Sequence, residues 1–245
     1  MNRLTEKVAL VMGAGRGIGR ATAKLFANEG AKVAVLSRTQ TQIDGVVAEI
    51  EATDGTAIGI RCDISDADQI LSAVNEVITT WGGIDILVNN ALDSSVVFSS
   101  VIDLSVEQLQ RNFEVGPIAY LRTMQACYPY LKASGEGRVI NLGSAAGVLG
   151  MAGLAPYGMA KEAVRALTRV AAREWGADKI TVNNVMPIAD TYGSERPPLP
   201  NVFDRNGSPE EDIAPVILFL ATKDAQFITG YSLTPDGGMI IDAAR

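Results

Sequence analysis

Apolar residues along the chain follow two alternating periods. Short, nearly continuous runs of Val, Ile, Leu and Ala recur between longer stretches in which apolar positions return every three or four residues. The runs at 8–12, 32–37, 56–62, 84–89, 138–142, 181–185 and 232–234 read as strands, and most lack polar alternation, as in ILVNN and RVINL. Strands apolar on both faces belong to a parallel sheet covered on both sides. The periodic stretches at 17–29, 41–52, 66–81, 106–132, 156–175 and 209–221 read as helices, with Ser65-Asp66 and Ser208-Pro209 as N-terminal caps. The order predicts an α/β chain: a doubly wound, mainly parallel seven-stranded sheet with helices on both faces, Rossmann-like, as one domain over 1–245.

Two segments carry neither period, 93–103 (DSSVVFSSVID) and the proline-rich 190–207. Both follow strands, which puts them at the carboxyl edge of the sheet, where open α/β folds bind ligands. The second, with residue 208, is expected to form a substrate-binding loop. No repeat or linker interrupts the chain.

Composition then narrows the chemistry. In 245 residues, 47% hydrophobic and 20% charged, there is no histidine. Ser-His-Asp triads, Cys-His pairs and His-ligated metals are excluded, and no metal site is expected. Acid-base work falls to Tyr, Lys, Cys, Asp or Glu. A net charge of −7 offers no footprint for nucleic acid or an anionic membrane. The apolar runs are shorter than the ~20 residues that span a bilayer. Two distant cysteines without a CxxC, and an N-terminus that enters a strand without a cleavage pattern, fit a reducing cytoplasm.

The first strand opens into Gly13-Ala14-Gly15-Arg16-Gly17-Ile18-Gly19 and then a helix. Glycines there let the backbone turn and approach a pyrophosphate, which the helix N-terminus attracts. Four of them in seven residues favour a dinucleotide over a plain turn. After the second strand stands Arg38-Thr39, where an NAD site carries an acidic residue for the ribose 2′-hydroxyl. Arginine suits a 2′-phosphate, with Arg16 as a second cation, so NADP(H) is favoured over NAD(H).

In order along the chain come this loop, Cys62-Asp63-Ile64, Asn89-Asn90-Ala91, Ser144, Tyr157-Gly158-Met159-Ala160-Lys161, Pro187, Thr191, Ile228-Thr229-Gly230 and Asp236-Gly237-Gly238. That ordered set resembles the short-chain dehydrogenase/reductase family, single-domain type, over essentially the whole length. Tyr157 and Lys161, four apart on a helix, share a face. A tyrosine that trades protons near neutral pH must ionise ~2 to 3 pH units below ~10, worth ~3 to 4 kcal/mol, and a lysine ammonium and an oxidised nicotinamide are suitable neighbours. Ser144 would hydrogen-bond the substrate oxygen as charge develops there. The resemblance implies the same roles for Ser144, Tyr157 and Lys161 and adds that Lys161 holds the nicotinamide ribose. It places the cofactor on Gly13, Gly15, Arg16, Gly17, Ile18, Gly19, Arg38, Thr39, Asp63, Ile64, Asn90, Ala91, Tyr157, Lys161, Pro187 and Thr191.

Four positions depart from the family pattern: Met12 for threonine, Leu92 for glycine, Gly116 where the tetrad asparagine is expected, and Ile188 for glycine. In the family that asparagine holds a water relaying protons to the lysine. Asn112, one helical turn upstream, is the nearby substitute, and Gly116-Pro117 should bend the helix. The expected activity is hydride transfer between NADP(H) and a secondary alcohol or its ketone, or an aldehyde. Val96, Val97, Phe98, Val148, Leu149, Met151, Leu154, Ile188 and Tyr192 would wall an apolar pocket. The competing readings are a cofactor-binding protein with reduced or lost catalysis, and a dehalogenase-like relative that uses Ser and Tyr without a nucleotide. The resemblance also implies a homo-oligomer, dimer or tetramer.

Overall fold

The computed structural model describes residues 2–92, 98–191 and 199–241. Its seven strands, β1 (Val8–Met12), β2 (Lys32–Ser37), β3 (Thr56–Arg61), β4 (Ile86–Asn89), β5 (Arg138–Leu142), β6 (Thr181–Val185) and β7 (Ser232–Leu233), pair in the order β3-β2-β1-β4-β5-β6-β7. Every pairing is parallel. Strand order reverses direction at β1 and β4, so a crevice opens beyond their carboxyl ends.

Alternate residues of β1 feed opposite cores. Val8, Leu10 and Met12 join residues of α3 (Ala67–Trp81), α5 (Ala119–Ala133) and α7 (Ala155–Trp175). Ala9 and Val11 join those of α1 (Gly17–Asn28), α2 (Gln40–Glu51) and α8 (Ala214–Ala221). This two-sided burial explains the absence of polar alternation. Phe26 on α1 is fully buried, and such a side chain contributes about 1.5–3 kcal/mol.

Helix starts follow local chemistry. Asp66 accepts from the amides of Asp68 and Gln69 to open α3, and Ser208 accepts from that of Glu211. Ser105 forms a full capping box with Gln108 at α4 (Val106–Phe113), a start not marked in the sequence reading. The helix expected over 106–132 is divided. Between α4 and α5 a π-turn spans Glu114–Ile118, with Gly116 outside helical geometry at φ −114°, ψ −107°. Pro117 has no N–H to donate to the previous turn, which is the physical cause of the break. The helix expected at 209–221 likewise opens with a π-turn, Pro209–Ile213. Strand β4 starts two residues later than expected, β3 and β7 each end one residue earlier, and the short α6 (Ala145–Leu149) was not foreseen.

Candidate active site

Each proposed site residue lies on the carboxyl side of a strand or on the helix that follows it, so the topology gathers them at one edge. The loop 13–19 turns there through Gly13, at φ +74°. A Cβ on Gly13 would lie 2.6 Å from the Ala91 Cα, and one on Gly19 would lie 2.2 Å from the Gly13 carbonyl oxygen. Asn90 donates its side-chain amide to that oxygen at 2.9 Å, which locks the turn after β4 to the loop after β1. Arg16 precedes α1 in extended geometry, Ile18 is buried in its first turn, and Thr191 packs beside Gly17, its side chain 3.4 Å from where a Cβ would be.

The β2 and β3 ends form a charged rim. Asp63 accepts from both the amide and hydroxyl of Ser65, at 2.9 and 2.8 Å. Burial raises its pKa, but those bonds and the charges of Arg38 and Arg111 outweigh that and hold the carboxyl below its ordinary value. Ile64 beside it is buried, while Arg38 and Thr39 are exposed. Arg61, not selected from the sequence, donates its Nε to the Arg38 carbonyl at 3.2 Å. Parallel register, which sets it opposite Ser37, brings it to the Arg38 main chain.

At the β5 end, Ser144 begins α6 and its hydroxyl accepts from the Ala146 amide at 3.1 Å. Helix α6 lies against the start of α7 through two glycines, since a Cβ on Gly147 would meet the Gly158 carbonyl at 2.9 Å. That contact holds Ser144 near the turn carrying Tyr157. One turn further, Lys161 is 5% exposed. Its ammonium donates to the Leu142 carbonyl at 2.6 Å and lies 5.7 Å from the Tyr157 ring centroid. Among the described residues no carboxylate forms an ion pair with it. Burial brings its pKa down to about 8. Tyr120, also not selected from the sequence, places its ring centroid 5.4 Å from the same ammonium and its hydroxyl 3.2 Å from the Ala91 carbonyl. No local sequence signal sets it apart from other core tyrosines.

Asn112 is buried, and its amide donates back to the Gln108 carbonyl of its own helix at 3.1 Å. Cys62 and Cys127 are buried, free thiols, raised by burial to about 11 and about 12. Ser99 pairs with Leu154 and donates its amide to the Gly153 carbonyl at 2.8 Å, so the segment carrying Phe98 is fastened beside Gly153 and Leu154. Phe98, Val148 and Leu149 are exposed. Ile188 is not an open wall: it is 7% exposed, its amide bonded to the Pro235 carbonyl. Pro187 precedes it, half-buried. The loop after β6 is closed at its base, Ala189 pairing with Gly207. Val96, Val97, Tyr192 and the stretch 192–198 of that loop lie outside the described residues.

The glycine cradle fits a dinucleotide, because at Gly13 and Gly19 a Cβ would strike main chain, so the loop keeps the bare backbone that a pyrophosphate needs. Three or more potential metal ligands are not grouped anywhere among the described residues. Among them, too, no helix is long and apolar enough to cross a membrane.

A family model described as short chain dehydrogenase matches residues 7–191. A 12alpha-hydroxysteroid dehydrogenase from Clostridium sp. is 36% identical over 95% of this chain and 96% of its own length. A cyclohexanol dehydrogenase from Acinetobacter sp. is 34% identical over 96% of each. The solved structure of a Serratia marcescens short-chain dehydrogenase/reductase mutant superposes with a TM-score of 0.89 at 34% identity, covering 96% of this chain and 98% of that one.

Proposed function

The chain belongs to the short-chain dehydrogenase/reductase family of oxidoreductases, which use NAD(P), and from that premise we propose an NADP(H)-dependent enzyme that interconverts an apolar secondary alcohol and its ketone. The observation that carries the proposal is the Lys161 ammonium, buried 5.7 Å from the Tyr157 ring and one helical turn along α7. A buried charge costs free energy unless it is used or compensated. Here it favours loss of the Tyr157 phenol proton.

The bound nicotinamide would supply or accept the hydride. In ketone reduction Ser144 donates a hydrogen bond to the carbonyl oxygen, Tyr157 gives that oxygen its proton, and the Lys161 charge stabilises the phenolate left behind. In alcohol oxidation the same proton returns to Tyr157. The loop Gly13, Gly15, Gly17 and Gly19 with Ile18 would hold the pyrophosphate, Asp63 and Ile64 the adenine side, and Asn90, Ala91, Pro187 and Thr191 the nicotinamide side. Arg16, Arg38 and Thr39 would hold the 2′-phosphate, and the Arg61 bond to the Arg38 main chain supports this rim.

Phe98, next to Ser99 in the chain, and Leu154, the bridge partner of Ser99, support an apolar substrate. Both named relatives act on cyclic alcohols by their names, which favours an alicyclic one. The loop 190–208 is proposed to bind it, in a homo-oligomeric cytoplasmic protein. Mixing the protein with NADPH or NADH and a panel of cyclic and linear ketones tests the reading through the absorbance of the reduced cofactor. Consumption of NADPH with cyclic ketones is expected. Tight NADPH binding without turnover of any ketone or alcohol would replace it by a cofactor-binding role.

A further inference from the structure

Lys161 is an ammonium without a carboxylate partner among the described residues, and its compensation is the Leu142 carbonyl and two aromatic faces. Both rings lie within the ~6 Å over which a cation is attracted to a π-face, an interaction that strengthens with desolvation. Their duties differ. Tyr157 is half-buried at the open edge, where its hydroxyl must stay available to substrate. Tyr120 is 2% exposed, and its hydroxyl is already bonded to the Ala91 carbonyl. Its ring is therefore fixed at both ends, by α5 and by the turn after β4. The π-turn at Glu114–Ile118 sets the start of α5, and Gly116 within it faces Ala160, the residue before Lys161.

We propose that Tyr120 is a positioning residue for Lys161, its ring holding the buried ammonium toward Tyr157 while its hydroxyl ties that ring to the Asn90–Ala91 turn. The groups facing the amine are Tyr120 from α5, Tyr157 from α7 and the Leu142 main chain of β5. The catalytic meaning of this rests on the reading above, but the contact itself does not require turnover to be tested.

The test titrates the Lys161 side chain by NMR in the full-length protein carrying 13Cε-labelled lysine, the signal being assigned by its loss in Lys161→Arg. Tyr120→Phe keeps the ring and is expected to leave the midpoint unchanged. Tyr120→Leu, and phenylalanine fluorinated stepwise at position 120, weaken the π-face in a site that still excludes water. They are expected to lower the midpoint progressively, by ~0.5 to 1 pH unit at full fluorination. The fluorinated series keeps the shape and so stands even if the leucine variant does not fold. A midpoint constant through the series overturns the proposal, as does an equal displacement in Tyr120→Phe. A rise would mean the ring merely excludes water and would also overturn it. Where turnover is measurable, the alkaline limb of kcat should move with the NMR midpoint while KM for NADPH stays within ~3-fold. A protein inactive toward every substrate yet showing the fluorination trend would keep the positioning role and lose the proposed activity.

Discussion

At Gly19 a single added carbon would come 2.2 Å from a carbonyl oxygen, whereas at Gly116 it would come no closer than 3.6 Å to the Ala160 methyl. The first glycine belongs to the loop between β1 and α1, where main chain approaches main chain and the Asn90 amide completes the turn. The second belongs to the π-turn behind Lys161, where its neighbour is a side chain of another element, the Ala160 methyl of α7. The two regions share one sheet edge but tolerate opposite changes. The loop should resist any side chain at its glycines, while the amine pocket should resist changes of charge and aromatic surface and accept a new side chain at position 116.

The largest effect expected lies on the chemical side. Tyr157→Phe should lower turnover by at least ~10³-fold, the scale of general acid-base catalysis, with NADPH affinity nearly unchanged. Steady-state rates and cofactor fluorescence measure the two separately. Retained turnover would remove Tyr157 from the reaction. Next comes Gly19→Ala, which should reverse the pattern: cofactor affinity down by ~100-fold and stability reduced by about 1–3 kcal/mol through backbone overlap. Unchanged NADPH binding there would show that the loop is not the cradle. Arg38→Asp is expected to raise KM for NADPH ~10- to 100-fold and to leave that for NADH within a few-fold, because one charge-assisted contact to a phosphate is lost. Equal effects on both cofactors would exclude a 2′-phosphate at the β2 rim.

These two regions were not equally legible. The glycine loop could be read as a string because its glycines act through their own backbone, while Asp63 and Asn90 were marked by their place in the ordered family pattern, and strand order then brings them together. Ser144, Tyr157 and Lys161 were readable by spacing along α7 and after β5. Tyr120 was not, since nothing local distinguishes a core tyrosine from one that meets a lysine 41 positions away. Arg61 was missed for a similar reason: its contact with Arg38 depends on parallel register between β2 and β3. The division of the helix expected over 106–132 was foreshadowed by Gly116-Pro117, but neither residue announces the π-turn geometry or the approach of Gly116 to Ala160 of α7.

Lys161 also links the pocket to pH. In the folded chain it loses its proton at about 8, and in the unfolded chain at ~10.4. Below the lower value it is charged in both states, and the cost of burying the ammonium is fully present. Between the two values the unfolded chain binds more protons, so stability from this group rises with pH, by at most ~1.4 kcal/mol per pH unit. Urea unfolding of the native protein against Lys161→Met, at ~pH 7 and ~pH 9.5, should show the difference moving in favour of the native protein at the higher pH. Turnover should fall over the same range as the ammonium is lost. A pH-independent difference would place Lys161 in contact with water.

The smallest effect expected is the one that separates the two kinds of glycine most finely. In Gly116→Asn the new Cβ meets only the Ala160 methyl, at an ordinary contact distance, so the fold should accept it without the overlap that Gly19→Ala creates. The amide would enter a region already served by Tyr120, and the Lys161 ammonium already donates to the Leu142 carbonyl. A second polar group there should therefore change kcat by no more than ~2- to 3-fold, under ~1 kcal/mol of barrier, with thermal stability nearly constant. Measured in the Tyr120→Phe background as well, the substitution forms a double-mutant cycle. Additive effects would mean that Gly116 and Tyr120 serve Lys161 independently. A gain from asparagine that grows when the Tyr120 hydroxyl is removed would mean the two positions are coupled through the bond that ties the Tyr120 ring to the Ala91 carbonyl.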